Sequence, residues 1–261
     1  MSHVQNPPAA TRHLHGQTVL VTGATGAIGN AIARALAASG ARVLLHYARR
    51  AEEAKALAAE IGGGAVCFQA DLADPTRPTA LWEAAEAVAG RITGLVNNAG
   101  ILSRVSVGDP FDAWQAVWTR DIQVNLLAAA DLSRGAIRHF RTHGGGRIVN
   151  IASRAAQGGY RGDAMPYGAT KAALVNLTQS IAGSFGAEGI TAVALAPGWV
   201  RTEMAEAYVA EHGEAAALSG IPIGRMAEPD EIAELVAFVL RPSQVSLSGA
   251  VLDVNGASKM R

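Results

Sequence analysis

Two side chains in this 261-residue chain stand at a spacing that suits proton transfer: Tyr167 and Lys171, one helical turn apart and so on one face of a helix. A phenol ionises near pH 10 in water, too high for efficient proton exchange at neutrality. A neighbouring ammonium favours the phenolate. Bringing the phenol to ~7 takes roughly 4 kcal/mol, which two cations in a partly desolvated cleft can supply. Taken alone, the pair reads better as a lysine snorkelling past a surface tyrosine. Its meaning depends on what else the chain brings to it.

A glycine-rich segment, Thr22-Gly23-Ala24-Thr25-Gly26-Ala27-Ile28-Gly29, follows an apolar strand pattern and opens a helical one. Glycines there let the backbone turn tightly and approach a pyrophosphate, whose charge the helix N-terminus stabilises. Between a first strand and a first helix the segment implies a dinucleotide, the competing reading being a tight turn with no ligand. NAD(H) sites of this kind carry an acid about 20 residues on, at the end of the second strand. Here that stretch is His46-Tyr47-Ala48-Arg49-Arg50, and the first acid is Glu52. A guanidinium pairs bidentately with a 2′-phosphate that an acid would repel, so the stretch points to NADP(H) over NAD(H). Arg49 is the first candidate. For Arg50 the competing reading is a solvated residue at the start of a charged helix.

These residues need a scaffold, and the hydrophobic pattern describes one. Short β-branched runs at Thr18–Val21, Val43–His46, Val66–Gln69, Gly94–Asn97, Arg147–Ile151, Thr191–Ala194 and Ala250–Val254 read as strands. Helical patterns follow at Ala27–Ser39 and Ala51–Ile61, and longer ones at about 110–142, 166–186 and 229–240. The alternation predicts an α/β protein: a single doubly wound Rossmann-type domain with a parallel sheet of about seven strands and helices on both faces. Ligands of such sheets bind beyond the carboxyl ends of the strands, where the candidate residues cluster.

Composition agrees and excludes other classes. Apolar residues make up 49% and aromatics 5%, as suits helices packed on a parallel sheet. The 22 basic and 22 acidic residues cancel, so no net charge points to nucleic acid or an anionic membrane. No apolar run is long enough to span a bilayer. The single cysteine, Cys67, excludes an intrachain disulfide framework, favours a reducing, cytoplasmic setting, and reads as a core residue. His3, His13, His15, His46, His139, His143 and His212 show no metal-ligand spacing, so no metal is expected. Residues 1–16 read as a flexible leader, neither signal nor anchor, and 17–261 as the folded domain.

The order of motifs resembles the short-chain dehydrogenase/reductase family from about residue 16 to 256. Thr22 to Gly29 aligns with the family's Thr-Gly-x-x-x-Gly-x-Gly, with Ala27 at the middle glycine and an additional Gly26 where NADPH-dependent members often place a basic residue. The resemblance puts Gly23, Thr25, Gly26, Ala27, Ile28 and Gly29 against the cofactor. Asp71-Leu72 resembles the adenine-binding pair, and Asn97-Asn98-Ala99-Gly100 the segment that lines the cofactor after strand four. Pro197-Gly198-Trp199-Val200-Arg201-Thr202 resembles the segment that holds the nicotinamide carboxamide, through Pro197, Gly198, Val200 and Thr202. Tyr167-Gly168-Ala169-Thr170-Lys171 matches Tyr-x-x-x-Lys, with Ser153 and Asn125 at the positions of the family's serine and helix asparagine. In the implied catalytic set Tyr167 is the acid–base group and Lys171 its electrostatic partner. Ser153 orients the substrate oxygen, and Asn125 holds a water that links Lys171 to solvent.

The expected reaction is reduction of a ketone or 3-oxoacyl-type carbonyl to a secondary alcohol by NADP(H). The stretch from Gly224-Arg225-Met226 to Asp253-Val254-Asn255-Gly256 resembles the 3-oxoacyl-thioester reductases. Gly183 stands near where carrier-protein reductases often have an arginine, which argues against an acyl-carrier-protein substrate; Arg138 and Arg141 are partial substitutes. The same motifs serve oxidation of a secondary alcohol, sugar or steroid-like substrate with NAD(P). A dinucleotide-sensing scaffold is the non-catalytic alternative, and the four catalytic positions argue against it. The resemblance further implies a homodimer or homotetramer, packed through the helices at 110–142 and 166–186, acting on a small carbonyl or alcohol. Trp199, Met204 and Tyr208 are candidates to line a substrate pocket under a lid over 201–224, against the alternative of a helix packing on its own domain. Trp114 and Trp118, spaced i, i+4, read as packing residues.

Overall fold

Side chains alternate across each strand, and here both sides are apolar. In the computed structural model, which describes residues 13–160 and 162–260, β1 (Thr18–Val21) sends Val19 and Val21 to one face and Leu20 to the other. The next strand, β2 (Arg42–Tyr47), repeats this with Val43 and Leu45 against Leu44. A sheet apolar on both faces needs helices on both. The first core layer packs Ile32 and Leu36 of α1 (Ala27–Ala38) against the sheet, with α2 (Ala51–Ile61) beside it. The opposite layer is filled from β3 (Val66–Gln69), α3 (Arg77–Ala89) and β4 (Gly94–Asn97).

The chain continues through α4 (Phe111–Ile122), a π-helical turn at Gln123–Leu127, and α5 (Ala128–Thr142). Leu132, Ala136 and Phe140 of α5 fall on one stripe and are buried with Leu81 and Trp82 of α3. Beyond β5 (Gly146–Ile151) come the short α6 (Ala155–Gly158), α7 (Met165–Phe185) and β6 (Ile190–Pro197). Two short helices, α8 (Glu203–His212) and α9 (Glu214–Leu218), precede α10 (Pro229–Val239) and β7 (Val251–Val254). Val236 and Ile232 of α10 join α1 in the first layer. All seven strands are parallel, in the order β3-β2-β1-β4-β5-β6-β7. The order reverses between β1 and β4, which opens a crevice at their carboxyl ends.

Three features depart from the sequence pattern. The leader expected over 1–16 does not extend through its last residues: 13–16 form a turn, Leu14 is fully buried against the first core layer, and its N–H donates to the Ser39 carbonyl at 2.9 Å. One leucine closing the end of α1 is enough to pin that segment; 1–12 lie outside the described residues. The long helix expected at 110–142 is interrupted at Gln123–Leu127, where the ladder widens to π geometry. Helix α3 has no counterpart among the expected helices, because its apolar stripe is only Leu81, Trp82 and Ala85 between charged and alanine positions.

Candidate active site

The crevice between β1 and β4 is a cavity of about 530 Å³. Its lining gathers Gly23 and Thr25 through Gly29 from the first turn, Arg49 and Arg50 after β2, and Asp71-Leu72 after β3. Asn98, Ala99 and Gly100 follow from β4, Ser153 from β5, Tyr167 and Lys171 from α7, and Pro197, Gly198, Val200 and Thr202 from β6. Asn125 is buried behind this wall.

The glycine turn is held by polar groups of its neighbours. Thr22 Oγ1 accepts the N–H groups of Asn98 and Ala99, both at 2.9 Å. Asn98 Nδ2 donates to the carbonyls of Thr22 and Gly23, at 2.9 and 3.2 Å. Asn98 therefore braces the loop with its amide hydrogens instead of offering them to a ligand. Gly23 has φ +67°, and a Cβ on Gly29 would overlap the Gly23 carbonyl oxygen. Such a bare backbone cradle at the start of α1 fits a pyrophosphate. Ala27, the departure from the family's glycine pattern, is the exposed first residue of α1.

His46 completes the support and had no role in the sequence reading. Its Nδ1 accepts the Gly23 N–H at 3.1 Å and its Nε2 donates to the Ala70 carbonyl at 3.0 Å, which requires the neutral ring. Burial pushes its pKa below 6.5, with the Ala70 contact opposing. The unfolded chain then binds a proton that the folded chain refuses, so His46 stabilises the fold above about pH 6.5 and loses this contribution as pH falls through its lowered value. The melting temperature and the NADPH affinity are both expected to decline between pH 7.5 and 5.5. In His46→Gln that decline should flatten, with lower stability at pH 7.5; an unchanged profile would show that His46 does not report on the turn.

At the other end of the cavity Ser153 is buried, and its Oγ accepts the Ala155 N–H at 3.2 Å. Tyr167 keeps part of its ring accessible, while its hydroxyl end is enclosed. Burial pushes that phenol above its usual value, the Ser153 hydroxyl bonded to it opposes this, and Tyr160 and Asp121 add to the rise. Lys171 is buried, its Nζ donates to the Ile151 carbonyl at 2.8 Å, and it lies 5.6 Å from the Tyr167 ring centroid. Desolvation brings its pKa down to about 8. The lysine thus faces the tyrosine ring, and among the chain's own groups burial is the largest influence on the phenol.

Asn125 sits in the π-helical turn. Its Oδ1 accepts the Ile101 N–H at 2.8 Å, and its Nδ2 donates to the Ile101 carbonyl and Thr170 Oγ1, at 2.9 and 3.2 Å. Both amide hydrogens are taken, so the side chain fastens the loop after β4 to α7. One turn earlier, Asp121 is fully buried; one carboxylate oxygen takes the Ser103 N–H at 3.4 Å and the other has no partner among the described residues. No motif marks this carboxylate in the sequence.

The two arginines after β2 separate. Arg50 has φ +64° and forms a bidentate pair with Glu203 at 2.8 and 2.7 Å, tying the start of α8 to the segment after β2. Arg49 lines the cavity and has no side-chain hydrogen bond or ion pair among the described residues. Thr202 caps α8 by accepting the Ala205 N–H at 3.3 Å. In the 201–224 segment Ala205 and Ala217 form a small core with Met226, packed by Trp199 and Tyr208, whose rings lie 4.8 Å apart. Trp199 and Met204 also line the cavity. Among the described residues no His/Cys/Asp/Glu cluster suits a metal, and no helix is long and apolar enough to cross a membrane. Cys67 is half-buried and donates to the Ala54 carbonyl, and burial pushes its thiol up, as for a packing residue.

The fold and this cavity define a dinucleotide-type α/β protein, and comparison with known proteins gives the family. The family model described as enoyl-(acyl carrier protein) reductase matches residues 23–257. A 3-oxoacyl-[acyl-carrier-protein] reductase of Synechocystis is 35% identical over 95% of this chain and 98% of its own length. A cis-4-hydroxycyclohexanecarboxylate dehydrogenase of Sinomonas cyclohexanicum is 34% identical over 92% of this chain and 95% of its own. Among solved structures, a short-chain dehydrogenase from Burkholderia cenocepacia in complex with NADP superposes with a TM-score of 0.85 at 35% identity, covering 94% of this chain and 99% of that one. The chain belongs to the short-chain dehydrogenase/reductase family and is an oxidoreductase acting between CH–OH and C=O.

Proposed function

We propose that this chain reduces a ketone or 3-oxoacyl-type carbonyl to a secondary alcohol with NADP(H), Tyr167 delivering the proton. The observation that carries the reading is that Ser153, Tyr167 and Lys171 line the same cavity as the glycine turn. Ser153 binds and orients the substrate oxygen; Tyr167, protonated at neutral pH because burial raises its phenol, donates to that oxygen as charge develops. Lys171, held by Ile151, keeps a cation beneath the ring. When bound, the nicotinamide supplies the hydride and, once oxidised, a positive charge that favours the phenolate. Asn125 positions the loop after β4, and Trp199 with Met204 closes the substrate side under the 201–224 lid. NADP bound to the Burkholderia relative and the reductase name of the Synechocystis relative support the reading.

Arg49 takes the 2′-phosphate in this proposal, since Arg50 is engaged by Glu203. Fluorescence titration is expected to give NADPH binding at least about ten-fold tighter than NADH, with the ratio falling toward parity in Arg49→Gln. Equal affinity in the wild type would overturn the NADP(H) assignment. A second reading, oxidation of a secondary alcohol, is favoured by the Sinomonas dehydrogenase; the same residues run that reaction in reverse. The exposed Phe111 and Val107 at the start of α4 support a homodimer or homotetramer through that region.

A further inference from the structure

Immediately after Ser153 stands Arg154, which no motif marks. The residue is half-buried, with Cζ 6.0 Å from the centroid of the Trp199 ring, and Trp199 lines the same cavity as Ser153 and Tyr167. Tyr160 is within electrostatic reach of Arg154, and the Tyr160 ring meets Tyr167 edge-on at 5.8 Å. Burial pushes the Tyr160 phenol up, and Arg154, followed by Arg104, opposes the rise, so both cations lie within electrostatic reach of it. Arg154 therefore stands over the Trp199 ring of the cavity wall, next in the chain to Ser153.

The neighbouring arginines have carboxylate partners. Arg104 pairs with Asp163 at 3.5 Å and Glu211 at 4.0 Å, Arg201 with Glu206 and Glu228, and Arg50 with Glu203. Arg154 has none among the described residues; its hydrogen bonds there are made by its backbone alone, the N–H donating to the Pro197 carbonyl and the carbonyl accepting the Gln157 N–H. A guanidinium without a counter-ion on a half-buried residue is an unmatched charge beside a site that must bind an uncharged carbonyl. The Trp199 ring stabilises it, yet leaves its planar fork of N–H donors unused.

We infer that Arg154 recognises a carboxylate on the substrate, so that the compound reduced is an oxo acid and the product the corresponding hydroxy acid. The inference rests on the assignment of Ser153 and Tyr167 to the carbonyl oxygen. With that oxygen between the two hydroxyls and the carboxylate on the guanidinium fork, the substrate is held at two points, which fixes the carbonyl face presented for hydride transfer. Hydride from NADPH adds to the carbonyl carbon, the C=O π pair moves to oxygen, and Tyr167 supplies the proton, so the carboxylate is unchanged. A carrier-protein thioester has no such anion near its carbonyl, and Arg154 gives it nothing to bind.

The test compares short oxo acids with their own methyl esters. Wild type, Arg154→Gln and Arg154→Lys, each saturated with NADP+, are titrated with both members of every pair, following tryptophan fluorescence and ligand-observed NMR. At least one oxo acid is expected to bind the wild type about ten-fold or more tightly than its ester. Arg154→Gln should bring that pair to parity with ester and NADPH affinities unchanged, and Arg154→Lys should retain part of the preference. Equal binding of acid and ester by the wild type, a preference that survives in Arg154→Gln, or no binding of any acid overturns the inference. Normal NADPH binding with indifference to the carboxylate removes this inference alone; failure to bind NADPH removes the functional reading and this inference with it.

Discussion

Tyr167→Phe is expected to lower kcat by about 10³-fold or more while leaving the NADPH dissociation constant within about two-fold. The substitution keeps the ring, its edge-on contact with Tyr160 and the face presented to Lys171, and removes only the hydroxyl. That hydroxyl lies at the enclosed end of the residue, near Ser153, in a place where burial favours its protonated form. No charge is lost, so the fold should hold: the melting temperature is expected to stay within about 2 °C. The measurement is turnover across a panel of ketones and β-keto thioesters, with a fluorescence titration of NADPH on the same preparation. Retained turnover would take Tyr167 out of the mechanism; loss of NADPH binding would make it a structural residue of the cavity.

Gly29→Ala has the largest expected effect on the cofactor end. A Cβ at 29 would overlap the Gly23 carbonyl oxygen and lie 2.8 Å from Asn98 Nδ2. Both are fixed: Gly23 by its N–H to His46, and Asn98 by its two carbonyl acceptors. The turn must therefore deform, and NADPH affinity is expected to fall about 100-fold or more, with a clear loss of melting temperature. The control is Ala27→Gly, at the exposed first residue of α1, where removing a methyl should change NADPH affinity by no more than about three-fold. A Gly29→Ala protein that binds NADPH normally would show that this turn does not carry the pyrophosphate. The pair also explains why alanine is accepted at 27: the close approach is at Gly29.

The doubly wound sheet was readable because each strand is a short apolar run between turn residues, as in Gly94–Asn97 before Asn98-Ala99-Gly100. Tyr167 and Lys171 were readable because helical spacing alone puts them on one face. Helix α3 was not, since what buries Trp82 is the opposing α5, far along the chain. The role of Leu14 was hidden for the same reason: its burial depends on α1 folding back over it.

Within the site the division is sharper. The sequence by itself determined the class of fold, the glycine turn at the head of α1, and the candidate proton-transfer pair, because each depends on residue type and local spacing. Only the tertiary structure decided that Arg50 is engaged by Glu203 while Arg49 has no partner among the described residues, that His46 and Asn98 brace the turn, and that Asn125 fastens a loop. It also decided that the chain's own groups raise the Tyr167 phenol and that Arg154 has no carboxylate partner among the described residues. Periodicity is a property of the chain and survives in its letters. A long polar side chain chooses its partner, and a buried group its charge, from whatever lies nearby in space, and those neighbours come from segments tens to more than a hundred residues away.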